Sequence, residues 1–190
     1  MLSIRTRQTY LKFLGFYTGK VDGVEGKKTK AAYKALQKKH FIRKSDMDGI
    51  YGANTEKLLK NAYRVKKHTK NFKLSDFRCK CGGAYCTGYP AELSIQMLKN
   101  LQKVRDRDGA TTVTSGMRCK TYNGLQKGSS KTSRHLSGKA VDIRNAKTAS
   151  ESGRKSVMAY IKTLPGHRYT YANIGGSHPN MGRAVHFDVK

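Results

Sequence analysis

Two short stretches carry groups that could hold a divalent cation. "TSRHLSGKAVDIR" (132–144) sets His135 and Asp142 seven residues apart around a glycine, and "GRAVHFDVK" (182–190) ends the chain with His186 and Asp188. Alternate residues of a strand face opposite sides. Over 139–144, Val141 and Ile143 therefore share one face, while Ala140, Asp142 and Arg144 share the other. Over 183–189, Val185, Phe187 and Val189 share an apolar face, leaving His186 and Asp188 opposite. If the two strands are neighbours with apolar faces on the core, Asp142 and His186 project into one polar cleft, and His135 reaches it from the entering loop. Two imidazoles and a carboxylate make a three-ligand zinc site with a fourth position left for water. Zinc lowers the pKa of such a water toward neutrality and polarises a carbonyl, which is what amide hydrolysis needs.

These strands belong to a mixed pattern. A helix is expected over 91–107 through Leu93, Met97, Leu98, Leu101 and Val104, then strands at 111–115 and 139–144, a helix over about 150–163, and the final strand. Strands and helices in mixed order with short connections indicate an α+β fold with a central antiparallel sheet. The first third differs. "VDGVEGKKTKAAYKAL" (21–36) and "MDGIYGANTEKLLKNA" (47–62) repeat one pattern, apolar-Asp-Gly-apolar-x-Gly-x-x-Thr followed by helical spacing. Asp-Gly pairs make turns, and Gly26 and Gly52 are expected to allow positive φ just before each helix. With a first helix through Tyr10, Leu11, Phe13 and Leu14, this is a small all-α three-helix unit. The expected division is 1–66 helical domain, 67–75 basic linker and 76–190 α+β domain.

The repeat resembles the three-helix peptidoglycan-binding domain found beside many cell-wall hydrolases, which implies wall anchoring. Residues Ser133 to Asp142 fit the S-x-H-x-x-G-x-A-x-D signature of zinc D-alanyl-D-alanine carboxypeptidases and related phage endolysin peptidases, the LAS-type metallopeptidases. His186-Phe187-Asp188 meets the H-x-D signature of their last strand, and "SGMRC" (115–119) resembles their S-G-x-R segment. The resemblance implies that His135, Asp142 and His186 bind zinc, that Arg118 steadies the substrate oxygen as it becomes an oxyanion, and that Ser133 helps bind substrate. It also exposes a departure. Several members carry a glutamate three residues before the last ligand, where this chain has Arg183, and no carboxylate lies between Glu151 and Asp188. His178 in "GGSHPNMG" is the expected general base, since a neutral imidazole is competent near neutral pH. Asp188 is expected to orient a ligand histidine through its other ring nitrogen.

Cys79, Cys81, Cys86 and Cys119 leave three arrangements open: two disulfides, a structural zinc bound by four thiolates, or buried free thiols. Either staple would fix Arg118, which precedes Cys119. The net charge of +27 is spread evenly, with 18 basic against 5 acidic residues in 1–70 and 21 against 7 in 71–190. Such a surface suits anionic wall polymers. Nucleic acid would explain the charge but not the His/Asp/His arrangement, and no regular aromatic stacking series accompanies the basic residues. No apolar run approaches the ~18 residues of a membrane span, and no signal peptide is evident. The expectation is a monomeric, wall-anchored zinc peptidase, made in the cytoplasm and acting at the wall as a phage endolysin. A non-catalytic wall-binding protein and a basic nucleic-acid binder are the alternatives.

Overall fold

The computed structural model describes residues 1–190. The first half is three helices, α1 (Ile4–Leu14), α2 (Lys27–His40) and α3 (Ala53–His68). Ser3 starts α1 by accepting from the Thr6 amide, and Gly15 closes it in the left-handed conformation, a stop that glycine makes without steric cost.

The repeated loops have a physical reason. Gln8 on α1 and Gln37 on α2 are completely buried. Gln8 Nε2 donates to Asp22 Oδ1 at 2.7 Å, Val24 O at 3.0 Å and Thr29 Oγ1 at 3.2 Å, while its Oε1 accepts from the Gly23 amide at 2.9 Å. Gln37 makes the same set with Asp48, Ile50, Thr55 and the Gly49 amide, at 2.9, 3.1, 3.0 and 2.7 Å. An unpaired buried amide would cost ~1–3 kcal/mol. Here both ends are satisfied, so each Asp-Gly…Thr loop is plugged by a glutamine from the helix before it. The positive φ expected at Gly26 and Gly52 falls instead on the turn glycines Gly23 and Gly49, at +82° and +80°, while Gly26 and Gly52 are extended.

The second half runs α4 (Ile95–Asp108), β1 (Thr111–Ser115), the short helix α5 (Lys120–Gly124), β2 (Ala140–Asn145), α6 (Glu151–Lys162), β3 (His167–Ala172) and β4 (Val185–Val189). The four strands form one antiparallel sheet in the order β1-β2-β4-β3. Val141, Ile143, Val185, Phe187 and Val189 join Leu98, Leu101, Val157 and Ile161 of α4 and α6 in the core, leaving Asp142, His186 and Asp188 on the other face. The fold is thus helical at the N-terminus and α+β beyond. β3, not anticipated from the sequence, pairs with β4 through Tyr171↔His186 and so borders the site.

The segment expected as a basic linker, 67–75, is packed. α3 continues through His68, Phe72 and Leu74 are buried, and the Lys70 amide donates to Gln102 Oε1 on α4 at 2.8 Å. Asn61 of α3 is wholly buried; its Nδ2 donates to Ala91 O at 2.8 Å and its Oδ1 accepts from the Leu93 amide at 2.7 Å. Lys60 and Arg64 pair with Glu92 at 2.9 and 2.8 Å. One hydrophobic cluster runs from Leu11 to Val189 across both halves.

Two glycines of the matched segments answer to close approach. A Cβ on Gly116 would stand 2.5 Å from Phe77 Cα and 2.7 Å from Phe77 O. Gly138 has φ +67°, and a Cβ there would overlap the carbonyl of Glu92. That tight crossing carries the Ser94 amide donating to Gly138 O at 2.9 Å, which seats the start of α4 beside the turn holding His135. Gly138→Ala is expected to destabilise the chain by at least ~2 kcal/mol, combining left-handed strain with overpacking. Denaturant unfolding checks this, and Lys139→Ala, half-exposed beside it, should stay within ~0.5 kcal/mol of the parent.

Candidate metal centre

The site is assembled from three elements. β2 and β4 pair Asp142 directly opposite His186, so strand periodicity alone aims both side chains from one face. His135 sits in the turn Arg134–Ser137 that feeds β2. The Arg118 amide donates to His135 O at 3.1 Å and the Met117 amide to Phe77 O at 3.0 Å, which clamps the 116–118 segment between that turn and residue 77. His135, Asp142 and His186 are 1, 6 and 5% exposed. Their neighbours are polar: Arg118, Asp188, Ser115 and the phenol-bearing Tyr171.

Hydrogen bonding sets the ring orientations. His135 Nδ1 lies 2.6 Å from Gly116 O. A carbonyl can only accept, so Nδ1 carries the proton and Nε2 of the neutral ring turns its lone pair inward. His186 Nε2 faces Asp188 Oδ2 at 3.4 Å, and Arg168 Nη1 donates to the same oxygen at 3.1 Å. Asp188 therefore accepts the outer proton of His186, leaving Nδ1 inward. Three acceptors then meet: His135 Nε2 stands 3.3 Å from His186 Nδ1 and 3.3 Å from Asp142 Oδ1, and His186 Nδ1 stands 2.7 Å from Asp142 Oδ1. Atoms at this spacing need a shared proton or a cation among them. Ligands bound at ~2.0–2.1 Å around a tetrahedral zinc stand roughly 3.3 Å apart; both His135 separations match that spacing, and the His186–Asp142 pair, at 2.7 Å, would open to admit the ion.

Charges shift as such a cluster requires. Burial would raise Asp142, but hydrogen bonds from His135 and His186 outweigh it and hold the carboxylate well below its usual range. Burial would lower His186, yet its bonds to Asp142 and Asp188 raise it above an ordinary imidazole. Asp188 is likewise held low, the His186 and Arg168 contacts overcoming desolvation. Burial, reinforced by the Asp142 charge, pushes the Tyr171 phenol up.

The other expected residues fall around this centre. Arg118 Nη2 donates to Asp142 Oδ2 at 3.0 Å and its Nε to Ser115 Oγ at 3.1 Å. His178 is exposed at the head of the turn Pro179–Met181, its ring centroid 4.7 Å from Tyr171, whose own ring stacks on His186 at 4.5 Å. Ser133 is half-buried and lines a hollow of about 370 Å³ with Thr132, Arg134, Leu136, Ser137 and Arg168. Arg183 is exposed. The four cysteines lie together and are unpaired. Tyr171 and Arg168 went unnoticed in the sequence because β3 did. Their signal was "HRYTYA", with three β-formers in a row after the Pro165-Gly166 turn.

Comparisons with known proteins agree with this layout. A profile described as peptidoglycan binding domain matches residues 3–59. A spore cortex-lytic enzyme of Bacillus cereus is 44% identical over 64 residues, which is 34% of this chain and 24% of that protein. The match thus spans about a quarter of the length of the curated relatives. The profile of Peptidase M15 matches residues 70–177, more than half of the chain and the stretch that carries His135, Asp142 and Arg118, and the chain belongs to that family.

Proposed function

We propose that this protein is a zinc-dependent peptidase that hydrolyses an amide bond in the peptide stems or cross-links of bacterial peptidoglycan, held on the wall by its helical half. The observation that carries the reading is the meeting of His135 Nε2, His186 Nδ1 and Asp142 Oδ1 at one buried point. Those three atoms would hold the zinc, which when bound supplies a Lewis acid that polarises the scissile carbonyl and acidifies water. Gly116 O and Asp188 keep both rings turned correctly. Arg118 spends Nε on Ser115 and one Nη2 donor on Asp142; a guanidinium has further N–H groups, which serve the oxyanion. A ring nitrogen of exposed His178 takes the proton from the attacking water and returns it to the leaving amine. The Tyr171 ring covers one flank of His186 and keeps bulk water off it.

Wall anchoring rests on the peptidoglycan-binding match over 3–59 and on a relative named for lysing spore cortex. It is also supported by a groove of about 840 Å³ at the seam of the two halves, whose rim carries Lys39, Lys66, Lys70, Lys73 and Arg78. That groove suits the phosphates of anionic wall polymers, with affinity falling as salt rises. A binding part joined to a cutting part, working on an insoluble polymer, supports the endolysin role. Arg183, standing where several relatives carry a glutamate, favours a second reading, a wall binder without catalysis.

Purified walls separate the two. We expect loss of turbidity that stops after chelation and returns with zinc, with mass spectra of the released fragments naming the bond cut. Lysis indifferent to chelator would overturn the zinc mechanism; sedimentation with walls and no release of fragments would select the binder.

A further inference from the structure

We propose that Cys79, Cys81, Cys86 and Cys119 bind a second metal ion, a structural zinc held by four thiolates, independent of the His/Asp centre. One ligand atom from each of the four lies within 4.8 Å of the others, and none is paired in a disulfide. Cys81 Sγ and Cys86 Sγ are 3.5 Å apart. Sulfurs bound at ~2.3 Å around a tetrahedral zinc are separated by roughly 3.8 Å, so a small adjustment closes the shell.

Backbone donors already face three of the four sulfurs. The Cys119 amide donates to Cys79 Sγ at 3.3 Å, the Gly88 amide to Cys86 Sγ at 3.4 Å and the Tyr122 amide to Cys119 Sγ at 3.5 Å. A thiol sulfur is a weak acceptor and attracts few donors, whereas an anionic sulfur gains charge-assisted bonds. Four thiolates around zinc leave a double negative charge, and two arginine side chains run beside the loop. The backbone of Gly88 lies against the side chain of Arg78, and that of Gly83 against Ile42 and Arg43 of the helical half. Gly82, Gly83 and Gly88 all adopt positive φ, which lets so short a loop turn three cysteines toward one point. The Cys79 amide closes that loop on Gly88 O at 2.8 Å.

The ion would do structural work at a junction. Cys119 caps the start of α5 and follows Arg118 directly, while the loop bearing the other three touches Ile42. One ion would thereby fasten the Arg118 segment, the 79–88 loop and the helical half to each other.

The test uses the full chain carrying His135→Ala and His186→Ala, so the outcome does not depend on the proposed function. Titration of the reduced, metal-free protein with cobalt(II) should saturate at one equivalent with thiolate-to-cobalt charge-transfer absorption, and adding Cys79→Ser should abolish that band. In the unmutated protein, where folding is not in question, zinc should slow alkylation of all four cysteines together by about tenfold or more. Absence of the charge-transfer band, alkylation indifferent to zinc, or a Cys81–Cys86 disulfide forming in zinc-loaded protein would each overturn the proposal.

Discussion

His135→Ala is expected to empty the His/Asp centre and to lower wall hydrolysis by at least about 10³-fold, ~4 kcal/mol of barrier. The loss should exceed that of any neighbouring substitution because His135 cannot be replaced locally. Its ring is held by a single acceptor, Gly116 O, and no other side chain approaches Asp142 Oδ1 except His186. His186→Ala and Asp142→Ala should behave alike, Asp142→Ala with an added penalty, since Arg118 would lose its carboxylate partner in a nearly buried position. Binding can be read apart from activity. A ligand at a hundredfold over its Kd stabilises by ~2.7 kcal/mol, so zinc should raise the unfolding temperature of the parent by more than that of His135→Ala. Proton competition gives the sign of the pH effect. The metal must displace the Nδ1 proton that Asp142 holds on His186, whose pKa lies above the ordinary imidazole value. Affinity should therefore rise with pH through that raised pKa and level off above it. Equal zinc content in the parent and all three variants, measured by metal analysis, would remove these residues from the centre.

The meeting of Asp142 and His186 was legible because a strand converts sequence parity into a face. Val141/Ile143 and Val185/Phe187/Val189 fix which side is core, and Asp142 and His186 follow without any knowledge of pairing partners. The repeat was legible as a pattern of Asp, Gly and Thr but not as a mechanism. The plug residues Gln8 and Gln37 lie 14 and 11 positions before the Asp they bind, outside the repeated window and at unequal spacing. Residues 67–75 read as a linker because charge dominates their composition. Phe72 and Leu74 are the two apolar positions that outweigh it by entering the shared core. β3 was lost for a related reason. Arg168 and Tyr169 fall at a register shift between His167 and Tyr169, and a bulge breaks the alternation by which a strand is recognised. That irregularity accompanies Arg168 reaching Asp188. The close approaches at Gly116 and Gly138 are tertiary facts, set by Phe77 and Glu92 far along the chain.

Arg118→Ala should leave the metal bound and lower kcat by about 10²–10³-fold, the loss typical of removing an oxyanion donor. KM should change less, because a donor that acts on charge developing at the carbonyl contributes little to the ground state. Arg118→Lys separates charge from geometry. A lysine keeps the cation but loses the planar fork that reaches Ser115 and Asp142 together, so it should recover only a small part of the rate. His178→Ala should match Arg118→Ala in retaining metal and losing turnover, by ~10²-fold or more, yet the two differ in pH profile. A guanidinium does not lose its proton in proteins, so removing Arg118 should scale the whole kcat curve down without moving its limbs. His178 is proposed to carry the transferred proton, and its removal should flatten the acidic limb while added imidazole restores part of the rate. An unchanged acidic limb in His178→Ala would return the proton to another group on the same face, with Tyr171, 4.7 Å from His178 and stacked on His186, the next to replace.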